Sequence, residues 1–282
     1  MATVETVKPV PHVAPQRGET PGSHEVARSG VPLLEPRPGR SAERFAQRIG
    51  AERPVRVFLA AVLLGFIAVA GFMIASGLVL TKLLLPIGGF AAWDEGVNRW
   101  LAEHRSANLE HLSWIGSTLA GGVAIPLVIG AFLVAFLALR HWRLAAFVLF
   151  VVCVESGAYR MTTVFVHRDR PAVHRLESLP VDASFPSGHT AAALALYGGL
   201  LLLLMSRVRR RAVIAVAAPL VVAIPLFVAW ARMYRGMHHL TDSVAGVLLG
   251  LGALLVIVFA ARAAGAAAEH RAIRRAKTGG LP

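Results

Sequence analysis

The chain of 282 residues is 56% hydrophobic and has a mean hydropathy of +0.61, yet it carries a formal net charge of +13. Soluble domains are roughly 45–50% apolar, so this composition excludes an ordinary soluble globular protein. The apolar residues and the charges must therefore be segregated, and runs of about 20 apolar residues are long enough to cross a membrane as helices. We predict an all-α integral membrane protein.

Residues 1–54 precede the first long apolar run, contain eight of the 16 prolines and have no sustained hydrophobic period. Such a segment buries too little surface to offset the entropy lost on ordering, so we predict disorder. It does not resemble a secretory signal peptide, because the apolar run that begins near Val57 is too long for one. An arginine series predicts contact with anionic lipid, with nucleic-acid binding as the alternative. Its members are Arg37, Arg40, Arg44, Arg48, Arg53 and Arg56.

Six long apolar runs predict a bundle of six transmembrane helices. They lie at 57–81, 116–139, 143–166, 188–206, 212–231 and 241–261. Six spans place both termini on one side of the membrane. Of the 29 Lys and Arg residues, 20 lie on that side, which the positive-inside rule assigns to the cytoplasm. The predicted organisation is a cytoplasmic tail (1–54), a transmembrane domain (55–263) and a basic cytoplasmic tail (264–282) in the plasma membrane.

Between the first two spans, residues 91–112 mix tryptophans with charged side chains, as Trp93 and Trp100 do with Asp94 and Glu95. This mixture predicts a helix that lies in the membrane interface. It would serve as an anchor or would shape a lateral entry for a lipid.

The polar segment after the third span predicts the first part of an anion site. Arg168 and Arg170 precede Pro171, which disfavours further helix. Only 16 residues separate Arg170 from Ser187, so the guanidinium groups can reach the start of the fourth span.

The fourth span begins with the sequence Pro-Ser-Gly-His at residues 186–189. Ser187 is a suitable N-cap, and Gly188 has no Cβ to keep a ligand away from the backbone. The free N–H groups and the positive end of the helix dipole favour an anion there. His189 would offer a proton beside that anion.

Arg232, His238 and Asp242 form the third block, in the pattern R-x5-H-x3-D. The spacing predicts His238 and Asp242 on one face of the helix that opens the sixth span, where the carboxylate would orient the imidazole. A histidine oriented in this way is a competent nucleophile toward phosphorus. Arg232, on the preceding loop, can bind phosphate oxygens in a bidentate manner. His239 and Asp242 do not make a convincing metal-ligand set.

The three blocks together resemble the signature of the type 2 phosphatidic acid phosphatase (PAP2) family, which is related to vanadium haloperoxidases. That signature reads K-x6-RP, then PSGH, then SR-x5-H-x3-D. The resemblance covers roughly residues 57–262, and its specific part is confined to 160–246. The matching positions are Arg170-Pro171, PSGH at 186–189, Arg232, His238 and Asp242.

The resemblance implies that His238 attacks phosphorus to form a phosphohistidine, that Asp242 orients it and that His189 protonates the leaving oxygen. It further implies a site at the extracytoplasmic ends of helices 3 to 6 that uses neither a metal nor a cofactor. The groups implied to hold the phosphoryl oxygens belong to Arg170, Ser187, Gly188 and Arg232.

The chain departs from the family signature at two positions, because Thr163 replaces the lysine and Ala231 replaces the serine. The first change removes a positive charge from the phosphate pocket. We predict that Arg160, one helical turn before Thr163, or Arg168 replaces that charge.

These residues predict a metal-independent phosphatase that cleaves a lipid phosphomonoester or diphosphate. Polyprenyl diphosphate, phosphatidic acid and phosphatidylglycerol phosphate are the candidate substrates. The alternatives are a lipid phosphotransferase that uses the same phosphohistidine and a catalytically impaired transporter or scaffold. Expected partners are the lipid phosphate and membrane lipids, with no nucleic acid and no obligate protein partner.

Overall fold

The structure is a computed structural model that describes residues 31–178 and 183–279. In these residues a short 3-10 turn, Pro32–Leu34, precedes ten α-helices, and there is no strand. The helices are α1 (Ser41–Gly50), α2 (Pro54–Val79), α3 (Phe90–Glu103), α4 (Ala107–Leu119), α5 (Ala124–Ala138), α6 (Trp142–Phe165), α7 (Gly188–Ala193), α8 (Gly199–Arg207), α9 (Arg211–Tyr234) and α10 (Leu240–Lys277). A π-helical turn, Leu80–Leu84, extends α2, and another, Leu194–Gly198, joins α7 to α8.

In the described part of the chain, five helical segments are long and apolar enough to span a membrane, and α4 with α5 makes a sixth candidate bent by 43°. The bend divides the second span, which we predicted at 116–139, between α4 and α5. It falls at Gly121 and Gly122, where two residues of low helix propensity interrupt the apolar run. The chain is a multi-pass membrane protein. The other five spans are Pro54–Leu84, Trp142–Phe165, Gly188–Arg207, Arg211–Tyr234 and Leu240–Lys277.

The long helix α10 packs against α2, α6, α7 and α1. Two glycines permit its close approach to the fourth span. A Cβ atom added at Gly246 would lie 2.5 Å from the Ser187 carbonyl oxygen, and one at Gly250 would lie 2.7 Å from the Ala191 carbonyl oxygen. Small residues four positions apart allow helix backbones to meet in this way. The crossing holds the start of α10 against the start of α7.

The segment before α2 differs from the predicted disorder, because residues 31–54 pack on the end of α10. Ala42 and Ala46 of α1 share a buried cluster with Ala263 and Ala266, while Leu34 is buried in the main core. Apolar residues recur every three or four positions in α1, but this helix is too short for the pattern to be recognised as a sustained period. Residues 1–30 lie outside the described part of the chain.

The end of α10 also departs from the sequence prediction. We predicted a sixth span that ends at 261 and a separate basic tail at 264–282, but α10 continues without a break to Lys277. Alanines make up much of this extension and are strong helix formers. Residues 280–282 lie outside the described part of the chain.

Helices α3 and α4 cover the opposite end of the bundle, in the segment predicted to lie at the interface. Trp93 and Trp100 are more than half exposed on the outer side of α3. The inner side carries Asp94, Asn98 and Leu101, all buried, at the spacing of one helix face. This helix therefore directs polar side chains into the protein.

Candidate active site

Backbone contacts join the three sequence blocks at one end of the bundle. The Ser187 N–H donates to the Asp242 carbonyl over 2.9 Å, and the Ser184 N–H donates to the Arg168 carbonyl over 2.8 Å. The segment after α6, the start of α7 and the start of α10 thus form one structural unit.

The turn between α9 and α10 separates Arg232 from His238. Gly236 has a φ of +71°, and its N–H donates to the Met233 carbonyl, while the Met237 N–H donates to the Arg232 carbonyl. These two hydrogen bonds around a left-handed glycine form a Schellman motif, which ends a helix. Arg232 therefore lies in the last turns of α9 and not on the predicted loop. His238 lies in the connection, before α10 begins.

The imidazole of His238 is buried and held in one orientation. Its Nδ1 lies 2.7 Å from the Ser184 carbonyl oxygen. Because a carbonyl oxygen only accepts hydrogen bonds, Nδ1 carries the proton and Nε2 keeps the lone pair in the neutral ring. Asn98 donates from Nδ2 to the His238 carbonyl over 2.9 Å, which fixes the backbone.

The surroundings of His238 favour the neutral ring. Burial, and after it the positive charge of Arg232, hold the pKa of His238 well below its ordinary value, against the opposite effect of Asp242. Arg170 and His189 lower it further, so they also lie within electrostatic range of the imidazole. A neutral imidazole with an available Nε2 can act as a nucleophile at neutral pH.

Asp242 makes no hydrogen bond to the His238 ring, and this corrects the prediction that it orients that ring. His238 lies outside α10, so the helical i, i+4 geometry does not apply to the pair. The Asp242 carboxylate instead accepts the His239 N–H over 2.8 Å in a capping box and contacts Arg168 Nη1 and Ser184 Oγ. Ser184 connects the two residues, because its hydroxyl donates to Asp242 and its carbonyl accepts from His238.

Arg168 is engaged by two buried carboxylates, contrary to the prediction that it replaces the family lysine at the phosphate. Its Nη2 donates to Asp94 over 2.5 Å, and its Nη1 contacts Asp242 and donates to Thr241 Oγ1 over 2.7 Å. The guanidinium thus ties the end of the third span to α3 and α10. Its role in this arrangement is structural.

Arg160 does not turn into the site as predicted. It is exposed on α6 and makes no side-chain hydrogen bond or ion pair with the described residues. Thr163 donates its hydroxyl to the Arg160 carbonyl over 2.9 Å and so satisfies a backbone acceptor within its own helix. The positive charge of the family lysine therefore has no substitute on α6.

Arg232 is completely buried, and part of its guanidinium lacks a partner. Its Nη1 contacts Ser117 Oγ and Glu177 Oε2. Within the described residues, its Nε and Nη2 make no hydrogen bond. Buried N–H donors are rarely left unsatisfied, and a phosphate oxygen pair matches the geometry of these two donors.

Glu177, on the loop after the third span, pairs with two arginines. Its carboxylate contacts Arg232 Nη1 and Arg235 Nε. Partial burial would raise the pKa of Glu177, but Arg232, the Ser117 hydroxyl and Arg235 together outweigh burial and hold that pKa below its ordinary value. The ionised Glu177 carboxylate thus occupies one side of the Arg232 guanidinium, whose other side faces the candidate phosphate site.

The start of α7 brings Ser187, Gly188 and His189 to the same region. Ser187 is buried, and its hydroxyl lies 2.9 Å from the Thr190 hydroxyl. A Cβ atom at Gly188 would come within 3.1 Å of the Tyr159 ring, so glycine allows the ring to cover the helix start. His189 is partly exposed and interacts electrostatically with Arg232, Glu177 and Arg170.

Arg170 is buried and braces the turn that carries His238. Its Nη1 contacts the Met237 carbonyl, and its Nη2 donates to the Ala183 carbonyl over 3.2 Å. The guanidinium therefore adds positive charge beside the two histidines while it holds the flanking backbone in place.

A comparison with known protein families agrees with this geometry. The PAP2 superfamily model matches residues 140–265, the part of the chain that holds all three blocks. Residues 140–265 form a PAP2 superfamily domain.

A solved structure supports the same fold for the PAP2 domain and the helices before it. It is the crystal structure of the first transmembrane PAP2-type phosphatidylglycerolphosphate phosphatase from Bacillus subtilis, with a TM-score of 0.53 and 21% sequence identity. The match covers 73% of this chain and 94% of that one. At this identity the likeness establishes the fold alone. None of the curated protein sequences is significantly similar to this chain.

Sequence reasoning missed the residues of α3 that support the PAP2 domain from outside the matched segment. Asp94 accepts from Arg168 and from the Thr241 hydroxyl, the latter over 2.6 Å. Glu95 lies 3.0 Å from His239 Nε2. The available signal was the helical spacing that places Asp94 on the same face as a buried Leu101. The spacing identifies the face but not its partners, which only the fold supplies.

Proposed function

We propose that the PAP2 domain hydrolyses a phosphomonoester or diphosphate of a membrane lipid through a phosphohistidine at His238. The observation that carries the proposal is Arg232, whose buried Nε and Nη2 have no hydrogen-bond partner among the described residues. Arg232 also lies within electrostatic range of the neutral, oriented His238. A substrate phosphate would satisfy both donors. It would also place its phosphorus near a nitrogen nucleophile.

The proposed reaction has two steps. In the first, the lone pair of His238 Nε2 forms a bond to phosphorus while the bond from phosphorus to the lipid oxygen breaks, and that oxygen takes a proton from His189. In the second, water attacks the phosphohistidine, His189 accepts the water proton, and the P–N bond breaks to release inorganic phosphate. The second step regenerates both histidines for another turnover.

The remaining groups would stabilise charge on the transferred phosphoryl group. Arg232 and Arg170 supply positive charge, and Ser187 and the Gly188 N–H lie at a helix start that favours anions. Asp242 orients His238 only indirectly. It holds the start of α10 and the Ser184 hydroxyl, and the Ser184 carbonyl in turn fixes the tautomer of His238.

The membrane setting supports a lipid as the substrate. The candidate site lies at one end of the spanning helices, beside α3 with its exposed tryptophans. Exposed tryptophans at the ends of spanning helices are typical of the headgroup region. Polyprenyl diphosphate, phosphatidic acid and phosphatidylglycerol phosphate all present a terminal phosphate there. We propose a plasma-membrane protein with both termini in the cytoplasm and the site on the outer face.

Phosphate release from a panel of these lipids, by purified full-length protein in chelator, tests the proposal. We expect release by the wild type and a loss of at least about a thousandfold in His238→Gln, since the nucleophile is removed. His111→Gln, at an exposed position on α4, is the matched control and should keep full activity. Radiolabelled substrate should leave an acid-labile phosphoenzyme in the wild type only.

Three outcomes would contradict the proposal. One is undiminished release by His238→Gln, and another is release that requires a divalent metal. The third is transfer of the phosphoryl group to an added alcohol with no release to water, which would identify a phosphotransferase. Inactivity toward every lipid would favour a transporter or scaffold.

A further inference from the structure

A cavity lies at the opposite end of the bundle from the candidate active site. It has a volume of about 670 Å³ and is lined by the segment before α1, α1 itself, α2 and α10. One part of the lining, here called the mouth, carries Arg37, Arg40 and Arg262, and the apolar walls include Leu64, Leu255 and Phe259.

The mouth of this cavity is strongly cationic. Three arginines and the Ser41 hydroxyl line it, and the described lining contains no acidic residue. Arg262 donates from Nε to the Leu33 carbonyl over 2.9 Å, while Arg37 and Arg40 make no side-chain hydrogen bond with the described residues. Arg37 and Arg262 lie close enough to repel each other. An anion between them would relieve that repulsion.

The apolar walls of the cavity are open toward the lipid phase. Leu64 of α2 is 52% exposed and Leu255 of α10 is 63% exposed. Both lie within spanning helices, so their exposed faces meet lipid. Gly65 brings α2 close to α10 here, since a Cβ atom at this position would meet Val256 at 2.5 Å. An apolar channel with this exposure matches an acyl chain better than it matches water.

The depth of the cavity in the membrane agrees with a headgroup at its mouth. Asp242 at the active-site end and Arg262 belong to the same continuous helix, and 20 residues of helix rise about 30 Å. This is about the thickness of the hydrocarbon core. When the candidate active site lies at one membrane face, the three arginines therefore lie at the other.

We propose that this cavity is a binding site for an anionic phospholipid of the leaflet on the side of the termini. The lipid phosphate binds Arg37, Arg40 and Arg262, and the first part of one acyl chain lies along Leu64 and Leu255. The bound lipid bridges the N-terminal segment to α2 and α10. It stabilises this end of the bundle without contact with the catalytic residues.

The test compares lipid retention and thermal stability of the full-length protein in neutral detergent. The added probes are phosphatidylglycerol, phosphatidylcholine, glycerophosphoglycerol without acyl chains, and inorganic phosphate. We expect phosphatidylglycerol alone to remain bound in native mass spectrometry and to raise Tm. Free phosphate and the chain-free headgroup lack the apolar contacts, so they should have little effect.

Two double variants that remove the same charge distinguish specific lipid binding in the cavity from non-specific attraction of anionic lipid to the basic surface. Arg37→Gln/Arg40→Gln removes two arginines of the cavity, and Arg44→Gln/Arg48→Gln removes two exposed arginines of α1 outside it. Each basic side chain near an anionic lipid contributes a factor of about five, so we expect the first variant to bind phosphatidylglycerol more than roughly tenfold more weakly. The second should bind almost as well as the wild type.

Equal losses in the two variants would overturn the proposal in favour of diffuse electrostatic attraction. Equal retention of phosphatidylcholine, or a full effect of inorganic phosphate, would also overturn it. A circular dichroism spectrum for each variant checks that α1 and the bundle remain folded, and Leu255→Ala in the wild-type background tests the apolar wall separately. That variant should weaken binding while all arginines remain.

Discussion

At the scale of single residues, the candidate site depends on how His238 is held. The Ser184 carbonyl fixes the proton on Nδ1, and burial with Arg232 holds the ring neutral. Among the described residues the His238 ring has no direct carboxylate partner, because the Asp242 side chain caps the start of α10. A backbone carbonyl orients the ring without adding a negative charge beside the incoming phosphate.

The pH dependence of the reaction follows from the lowered pKa of His238. In the proposed reaction the neutral form of His238 is the nucleophile. Because its pKa lies well below the ordinary histidine value, the neutral form persists as the pH falls from 7 to 6. We expect kcat/KM, corrected for ionisation of the substrate phosphate and of the proton donor His189, to stay constant over this interval. A decrease centred near pH 6.5 would mean that His238 titrates as an exposed histidine.

Glu177 offsets part of the positive charge of Arg232, which leads to a second prediction. Glu177→Gln removes a negative charge from the guanidinium that would bind phosphate. Because the carboxylate is partly exposed and the interaction is screened, we expect KM to fall only about threefold to tenfold, with kcat little changed. Glu103→Gln removes the same charge from an exposed position on α3 and should leave KM unaltered. An increased KM in Glu177→Gln would indicate that Glu177 positions Arg232.

At the scale of helices, the contact between α7 and α10 sets the position of the reactive groups. Gly246 brings the backbone of α10 against Ser187, which belongs to the proposed anion-binding helix start. The sequence contains this glycine and Gly250 at a spacing typical of membrane helix contacts. It does not show which helix they meet.

Substitution of Gly246 tests this contact. The Cβ of Gly246→Ala would lie 2.5 Å from the Ser187 carbonyl oxygen, a backbone atom that cannot move without the helix start. We expect a lower Tm and a loss of phosphatase activity of at least about tenfold, since a small displacement of reacting groups is costly. Gly71→Ala, in α2, is the matched control and should behave as the wild type, because a Cβ atom added there would meet no atom of the described residues within 4 Å. Full activity in Gly246→Ala would mean that the two helices separate without moving the site.

At the scale of the whole molecule, the arrangement of charge predicts the orientation in the membrane. The candidate site and the arginine-lined cavity lie at opposite ends of the bundle, and most basic residues lie at the end with the termini. The positive-inside rule then assigns the site to the outer face. The orientation decides which leaflet supplies the substrate.

Cysteine labelling tests this orientation, because Cys153 is the sole cysteine of the chain. In a Cys153→Ala background, His174→Cys lies on the loop at the candidate site and Thr278→Cys lies beyond α10. An impermeant maleimide added to intact cells should label the first variant, and the second only after the membrane is opened. The reverse pattern would place the site in the cytoplasm.

The sequence by itself determined the class of fold, the number of apolar runs and the three polar blocks, because run length and short motifs are local properties. It did not determine the partners of those blocks. Only the tertiary structure decided that Arg168 and Asp242 stabilise each other and the helix starts, that Arg160 faces away, and that Ser184 orients His238. Those contacts join residues far apart in the chain, and their geometry depends on how closely glycines allow α10 and α7 to approach.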